Sequence, residues 1–124
     1  MILCDTNILV EFYKDNEAIK QTLRQVGLSQ LAVSVITTGE LYFGAKDKRE
    51  LAKIERHLAL LNQIALNAEI SAVFLKLMGQ YVLSHKLSVP DGLIAATALC
   101  HAIPLYTLNT KDFKFISGLE LYLP

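Results

Sequence analysis

Four carboxylates stand where an apolar run gives way to a polar one: Asp5, Glu40, Asp91 and, less regularly, Asp112. Each has a structural explanation when taken singly. Asp5 suits an Asx turn or a helix cap, and Glu40, three residues after Thr37, completes a capping-box pattern. Asp91 in a first helical turn complements the helix dipole, and Asp112 reads as an exposed turn acid. Together they suggest something else, because acids carried from several strand ends to one edge repel one another unless a cation sits among them. Hard oxygen donors suit Mg²⁺ or Mn²⁺, which keep several waters and bind through a few carboxylates plus a substrate phosphate. Zinc does not fit, since His57, His85 and His101 lie on separate segments without ligand spacing.

These acids need a scaffold that gathers them. Ile2-Leu3-Cys4 reads as a short strand buried on both faces, with Asp5-Thr6-Asn7 as the turn after it. A short helix over residues 8–13 follows, then one over 17–26 with Gly27 as its stop. Leu31 to Ile36 is rich in β-branched residues and forms the second expected strand, and Thr37 to Glu40 opens a helix. Residues 49–62 carry Leu51, Ile54, Leu58 and Leu61 at helical spacing. Ile64-Ala65-Leu66 suggests a brief strand, and Asn67 caps a long helix through Ile70, Phe74, Leu77 and Tyr81. Pro90 suits a first helical position, and Asp91 then opens Leu93 to Leu99, apolar on nearly every side and therefore central. Strands are expected over 103–108 and 119–123. Alternating strands and helices predict a parallel sheet in one three-layer α/β/α domain spanning residues 1–124.

Composition narrows the setting. Of the 124 residues, 52% are hydrophobic and 19% charged, which excludes disorder. No apolar run reaches the roughly 18 residues of a membrane span, and the N-terminus lacks the pattern of a signal peptide. Cys4 and Cys100 form no CxxC pair and read as reduced core thiols of a cytoplasmic protein. Basic and acidic residues balance at 12 each, so nucleic acid would have to be held by a local patch.

The chain resembles the PIN-domain ribonucleases, and most closely the toxins of VapBC-type toxin–antitoxin pairs. The resemblance rests on Leu3-Cys4-Asp5-Thr6-Asn7-Ile8-Leu9, on Ser34 to Gly44, on Pro90-Asp91-Gly92-Leu93-Ile94-Ala95-Ala96-Thr97-Ala98, on Tyr106 to Phe113 and on Ile116-Ser117-Gly118-Leu119. It implies an endoribonuclease that hydrolyses RNA through Mg²⁺ or Mn²⁺ held by Asp5, Glu40, Asp91 and Asp112. Thr6, Asn7 and Asn109 would orient those carboxylates or their waters. It also implies a homodimer silenced by a cognate antitoxin. Three positions depart from the family pattern: Leu108 where many members have Arg, Asn109 where some have Asp, and Gly92 where Ala is more usual. The last should cost about 1 kcal/mol of helix stability.

Because an acidic pocket repels RNA, basic residues must hold the backbone beside it. Lys111 and Lys114 flank Asp112, and Lys111 is the expected RNA contact. Lys46, Lys48, Arg49, Lys53 and Arg56 cluster after the Glu40 helix. A solvated helix face with salt bridges to Asp47, Glu50 and Glu55 is at least as good an account of that cluster. Ile8, Phe12, Tyr13 and residues 41–61 are the candidate apolar contact surfaces. Competing activities fit less well: a phospho-acceptor domain needs a second acid beside Asp5, and an aspartyl phosphatase needs Asp where Asn7 stands. A PIN nuclease of RNA processing, or a silent PIN binding module, is the nearer alternative.

Overall fold

In the computed structural model, which describes residues 1–124, four short strands run parallel. They are β1 (Ile2–Cys4), β2 (Leu31–Ser34), β3 (Asn62–Ile64) and β4 (Leu105–Tyr106), in the spatial order β3-β2-β1-β4. Leu3 pairs with Ala32 on one side and Leu105 on the other, so β1 is central. Helices α1 (Thr6–Tyr13), α2 (Glu17–Val26), α3 (Val35–Phe43), α4 (Lys48–Leu58), α5 (Ala68–His85) and α6 (Val89–His101) cover the sheet. This is the three-layer α/β/α arrangement expected from the alternation.

Strand periodicity divides the core in two. Leu3, Ala32 and Leu105 join Ile70, Leu77, Tyr81, Ile94 and Ala95 of α5 and α6. Their neighbours Cys4, Val33 and Tyr106 join Ile8, Leu9, Ile19, Leu23, Ile54 and Leu58 of α1, α2 and α4 on the opposite face. Cys4 is fully buried, and burial pushes its thiol up to about 12, which leaves it inert.

Several boundaries differ from the sequence expectation. Thr6 and Asn7 are the first residues of α1, because the Asp5 carboxylate caps the helix by accepting from the Thr6 N–H. β2 stops at Ser34, whose hydroxyl accepts from the Ile36 N–H, so Val35 and Ile36 turn helical despite their β-branched side chains. The Thr37–Glu40 capping box therefore does not form. α4 ends at Leu58, and β3 begins at Asn62, whose side-chain amide donates to the carbonyls of Ser29 and Leu31. The expected last strand shrinks to one bridge between Leu121 and Leu105.

Asn67 caps α5 as its position suggests; α6 is capped by Ser88, which the sequence did not single out, and begins at Val89, so Pro90 is its second residue and not its first. Gly92 does more than its propensity implies. A Cβ there would lie 2.9 Å from Met78 Sδ and 3.1 Å from Phe74 Cε1. The start of α6, and Asp91 with it, is seated against α5 at a distance only glycine allows.

Candidate functional site

In an open parallel sheet a crevice forms beyond the carboxyl ends of the strands, where neighbouring strands connect in opposite directions. Here that place lies between β1 and β4. Asp5, directly after β1, donates its N–H to the Tyr106 carbonyl. Its side chain is buried, with Oδ1 2.7 Å from the Thr6 nitrogen and Oδ2 2.8 Å from the Thr107 hydroxyl.

The Thr107 hydroxyl is fully used. It accepts from the Asn109 N–H at 3.1 Å and from Asn7 Nδ2 at 3.4 Å, and its single proton goes to Asp5. Asn7 Oδ1 accepts from the Leu108 N–H at 3.2 Å, which orients the amide and ties the loop after β4 to α1. Thr6 reaches the other way, donating to Glu40 Oε1 at 2.7 Å, with Thr37 Oγ1 3.2 Å from its oxygen. Thr6 and Asn7 thus hold three segments around Asp5.

Asp5, Thr6, Asn7, Val10, Glu11, Glu40, Asp91, Leu108 and Asn109 line one cleft of about 440 Å³. Asp91 stands in the first turn of α6, its N–H donating to Ser88 Oγ at 3.2 Å. Burial raises the Asp91 carboxyl most, and the charges of Asp5, Asp112 and Glu40 add to this against the Ser88 contact; the result is about 6. The Asp5 carboxyl is also raised, first by burial, against the lowering hydrogen bonds from Thr107 and Thr6, with Glu40 and Asp112 adding repulsion. Ionised acids on four segments feel one another, and no lysine, arginine or histidine lines the cleft to offset them.

Asp112 sits on a short 3-10 turn over Thr110–Asp112. Its charge reaches Asp5 and Asp91, yet it does not line the cleft. Lys111 on the same turn is exposed and also stands outside. Sequence reasoning missed two participants. Glu11 lines the cleft because a helix beginning at Thr6 brings Asn7, Val10 and Glu11 onto one face, a signal obscured by starting that helix at Ile8. Thr107 lay inside a recognised motif, but nothing local marks its hydroxyl as the partner of Asp5.

The donor set suits a hard divalent cation: carboxylate and amide oxygens, without sulfur or imidazole. No three such side chains are grouped closely enough to hold one ion by themselves. Unscreened like charges stand apart, and the Asp5 and Glu40 oxygens turn to neighbouring hydroxyl and amide donors instead. A cation accommodated here would keep water in much of its shell, as Mg²⁺ readily does.

A family model described as PIN domain matches residues 2–118. Among curated proteins, ribonuclease VapC1 of Rickettsia felis is 31% identical, the alignment covering 97% of this chain and 93% of that protein. Among solved structures, a toxin–antitoxin complex from Klebsiella pneumoniae superposes with a TM-score of 0.82 at 34% identity, covering 96% of this chain and 95% of that one. The VapBC2 structure from Rickettsia felis, bound to a DNA fragment from its promoter, gives 0.85 at 26% identity, covering 98% of each chain. With the parallel sheet, its order and the cleft at the end of β1, these findings agree: the chain belongs to the PIN domain family and is a VapC-type member of it.

Proposed function

We propose that this protein is an endoribonuclease and the toxin of a type II toxin–antitoxin pair, hydrolysing RNA phosphodiester bonds with Mg²⁺ or Mn²⁺. The observation that carries the reading is the convergence of Asp5, Glu40 and Asp91 on one cleft in which no basic side chain offsets their charge. Similarity to ribonuclease VapC1 supports RNA as substrate, and similarity to toxin–antitoxin complexes supports an antitoxin as partner. We further propose a homodimer acting in the cytoplasm, with residues 1–124 as one domain.

Asp5 and Asp91 are the residues proposed to hold the cation, with Glu40 beside them and Asp112 contributing charge from the rim. Such a cation, when bound, lowers the pKa of a water and stabilises charge on the scissile phosphate. The protein's own part is positioning. The Thr6 N–H and the Thr107 hydroxyl fix the Asp5 carboxylate plane while leaving lone pairs free on both oxygens. The Thr6 hydroxyl holds Glu40 against the same edge. The Ser88 cap and the α5 seat under Gly92 set where Asp91 starts its helix. Asn7 keeps the loop carrying Leu108 and Asn109 closed over the cleft's side. Direct hydrolysis of this kind leaves a 5′-phosphate and a 3′-hydroxyl and needs no histidine pair.

The deciding experiment is cleavage of single-stranded RNA by the purified chain with Mg²⁺, with Mn²⁺ and with chelator, beside Asp5→Asn. Cleavage that requires the cation and disappears in the variant is expected. Cleavage at the wild-type rate in Asp5→Asn would overturn the assignment.

A further inference from the structure

A second cavity, about 620 Å³, lies between α1, α3 and α4, within the roughly 300–1,000 Å³ typical of ligand pockets. It adjoins the acidic cleft, since Val10 and Glu40 line both. We propose that this cavity is a nucleotide subsite, taking a base and the flanking phosphates of single-stranded RNA whose scissile phosphate lies in the acidic cleft. The inference rests on the ribonuclease reading and assigns the substrate a path across the surface.

Three observations carry it. The floor is apolar, made by Val10, Leu41 and Ile54. Rings stand along one wall: Phe12 stacks on His57 with centroids 4.8 Å apart, and Tyr13 Oη lies 2.8 Å from His57 Nδ1. Burial lowers the His57 pKa, so the ring is neutral near pH 7, and the three rings form an uncharged aromatic wall beside which a base can pack. The rim carries Lys14, Lys46 and Lys53, with Glu50 and the shared Glu40 as the only acids.

The lysines are also available. The salt bridges expected to Asp47, Glu50 and Glu55 do not form, and the basic run along α4 is exposed to solvent. The molecule's ion pairs within 4 Å are Lys14–Glu11, at 3.8 Å, and Lys20–Asp15, at 2.7 Å. Asp47 is occupied as the cap of α4, accepting from the Glu50 N–H. Lys46 and Lys53 therefore have no ion pair within 4 Å at the mouth of an apolar, ring-walled cavity, next to a cleft that repels phosphate, although the charge of Lys53 reaches Asp15. An RNA strand satisfies both requirements at once. A peptide partner such as the antitoxin would meet the same lysines and rings, and antitoxin capture by the variants below separates the two.

The test uses the full chain carrying Asp5→Asn, so that RNA is bound without being cut. A single-stranded RNA containing 4-thiouridine, irradiated on this protein, should crosslink to Phe12, Tyr13 or His57. Adding Lys46→Glu and Lys53→Glu should weaken binding of a fluorescein-labelled RNA about tenfold or more near 0.1 M salt. The slope of log K against log salt should fall by about 1.4, for two phosphate contacts on a single strand. The reversal pair Lys76→Glu and Lys86→Glu, on and just after α5 across the sheet, should leave both unchanged, and circular dichroism should show every variant folded. Unaltered affinity and slope in the α4-side variant, or crosslinks only on α5, overturn the inference. So does loss of antitoxin capture by that variant while its RNA binding stands, which would make the cavity a protein-docking groove. Failure of the wild-type chain to cleave RNA with either cation would sink the ribonuclease reading and this inference with it. Intact wild-type cleavage with unaltered binding by the variant would sink this one alone.

Discussion

Thr107 Oγ1 lies 2.8 Å from Asp5 Oδ2, a contact between residues 102 positions apart in the chain. The hydroxyl accepts two other hydrogen bonds, so it has no other use for its proton. Thr107→Val keeps the shape and removes the hydroxyl. A buried carboxylate then loses a donor, and Asn109 and Asn7 lose an acceptor, which should cost about 1–3 kcal/mol. Chemical denaturation will measure it, and RNA cleavage should fall more steeply than stability because Asp5 is freed to rotate. An unchanged denaturation midpoint would remove the contact from any account of the site.

Asp5→Asn should separate fold from activity. Its Oδ1 can still accept from the Thr6 N–H, and its amide nitrogen can donate to a rotated Thr107 hydroxyl by displacing the 3.4 Å contact from Asn7. A buried carboxyl with a raised pKa is removed, so the melting temperature should hold or rise slightly. RNA cleavage should drop by about a hundredfold or more, comparable to losing one principal electrostatic stabiliser.

Asp91 gives the pH dependence its sign. Its carboxyl is raised from 3.8 to about 6 in the folded protein, so folding favours the protonated form. That favours the folded state at low pH, and the benefit is lost as pH rises from about 4 through about 6. Asp91→Asn should therefore be more stable than wild type at pH 7.5 in chelator, with the gap closing below pH 4. Because the side chain is only half-buried, screening limits the gap to about 1 kcal/mol. Thermal melts across this range will read it, and a gap that widens toward acid would contradict the stated cause.

A divalent cation should act on the same repulsion. Mn²⁺ added to the wild-type chain should raise its melting temperature through binding to the folded state, and chelator should reverse this. In a chain carrying both Asp5→Asn and Asp91→Asn the rise should be absent. An equal rise in both proteins would place the cation elsewhere.

Gly92 tests the seat of α6. Alanine there gains about 1 kcal/mol of helix propensity but meets Met78 Sδ and the Phe74 ring, which must both move. We expect a net loss of about 1 kcal/mol. In a Met78→Ala background Gly92→Ala should cost less, so a double-mutant cycle should show coupling of about 1 kcal/mol. Additive effects would mean that the contact does not set the position of the helix.

Much of this molecule is written locally in its sequence. The alternation of short β-branched runs with helical stripes specifies a parallel α/β sheet, and the cap at Asn67 follows from a side chain a turn away from what it binds. The positions of Asp5 and Asp91 at element junctions were legible for the same reason, since a junction is a local change of pattern, whereas Glu40, expected at a helix start, lies inside α3. Local pattern misled at Val35 and Ile36, where one hydroxyl cap outweighed strand propensity. Tertiary structure alone decided that β4 lies beside β1, bringing Thr107 to Asp5, that Thr6 holds Glu40 from another helix, and that the basic run of α4 goes unpaired beside an open cavity. Strand order and hydrogen-bond direction depend on which surfaces meet across the core, and spacing along the chain carries no record of that meeting.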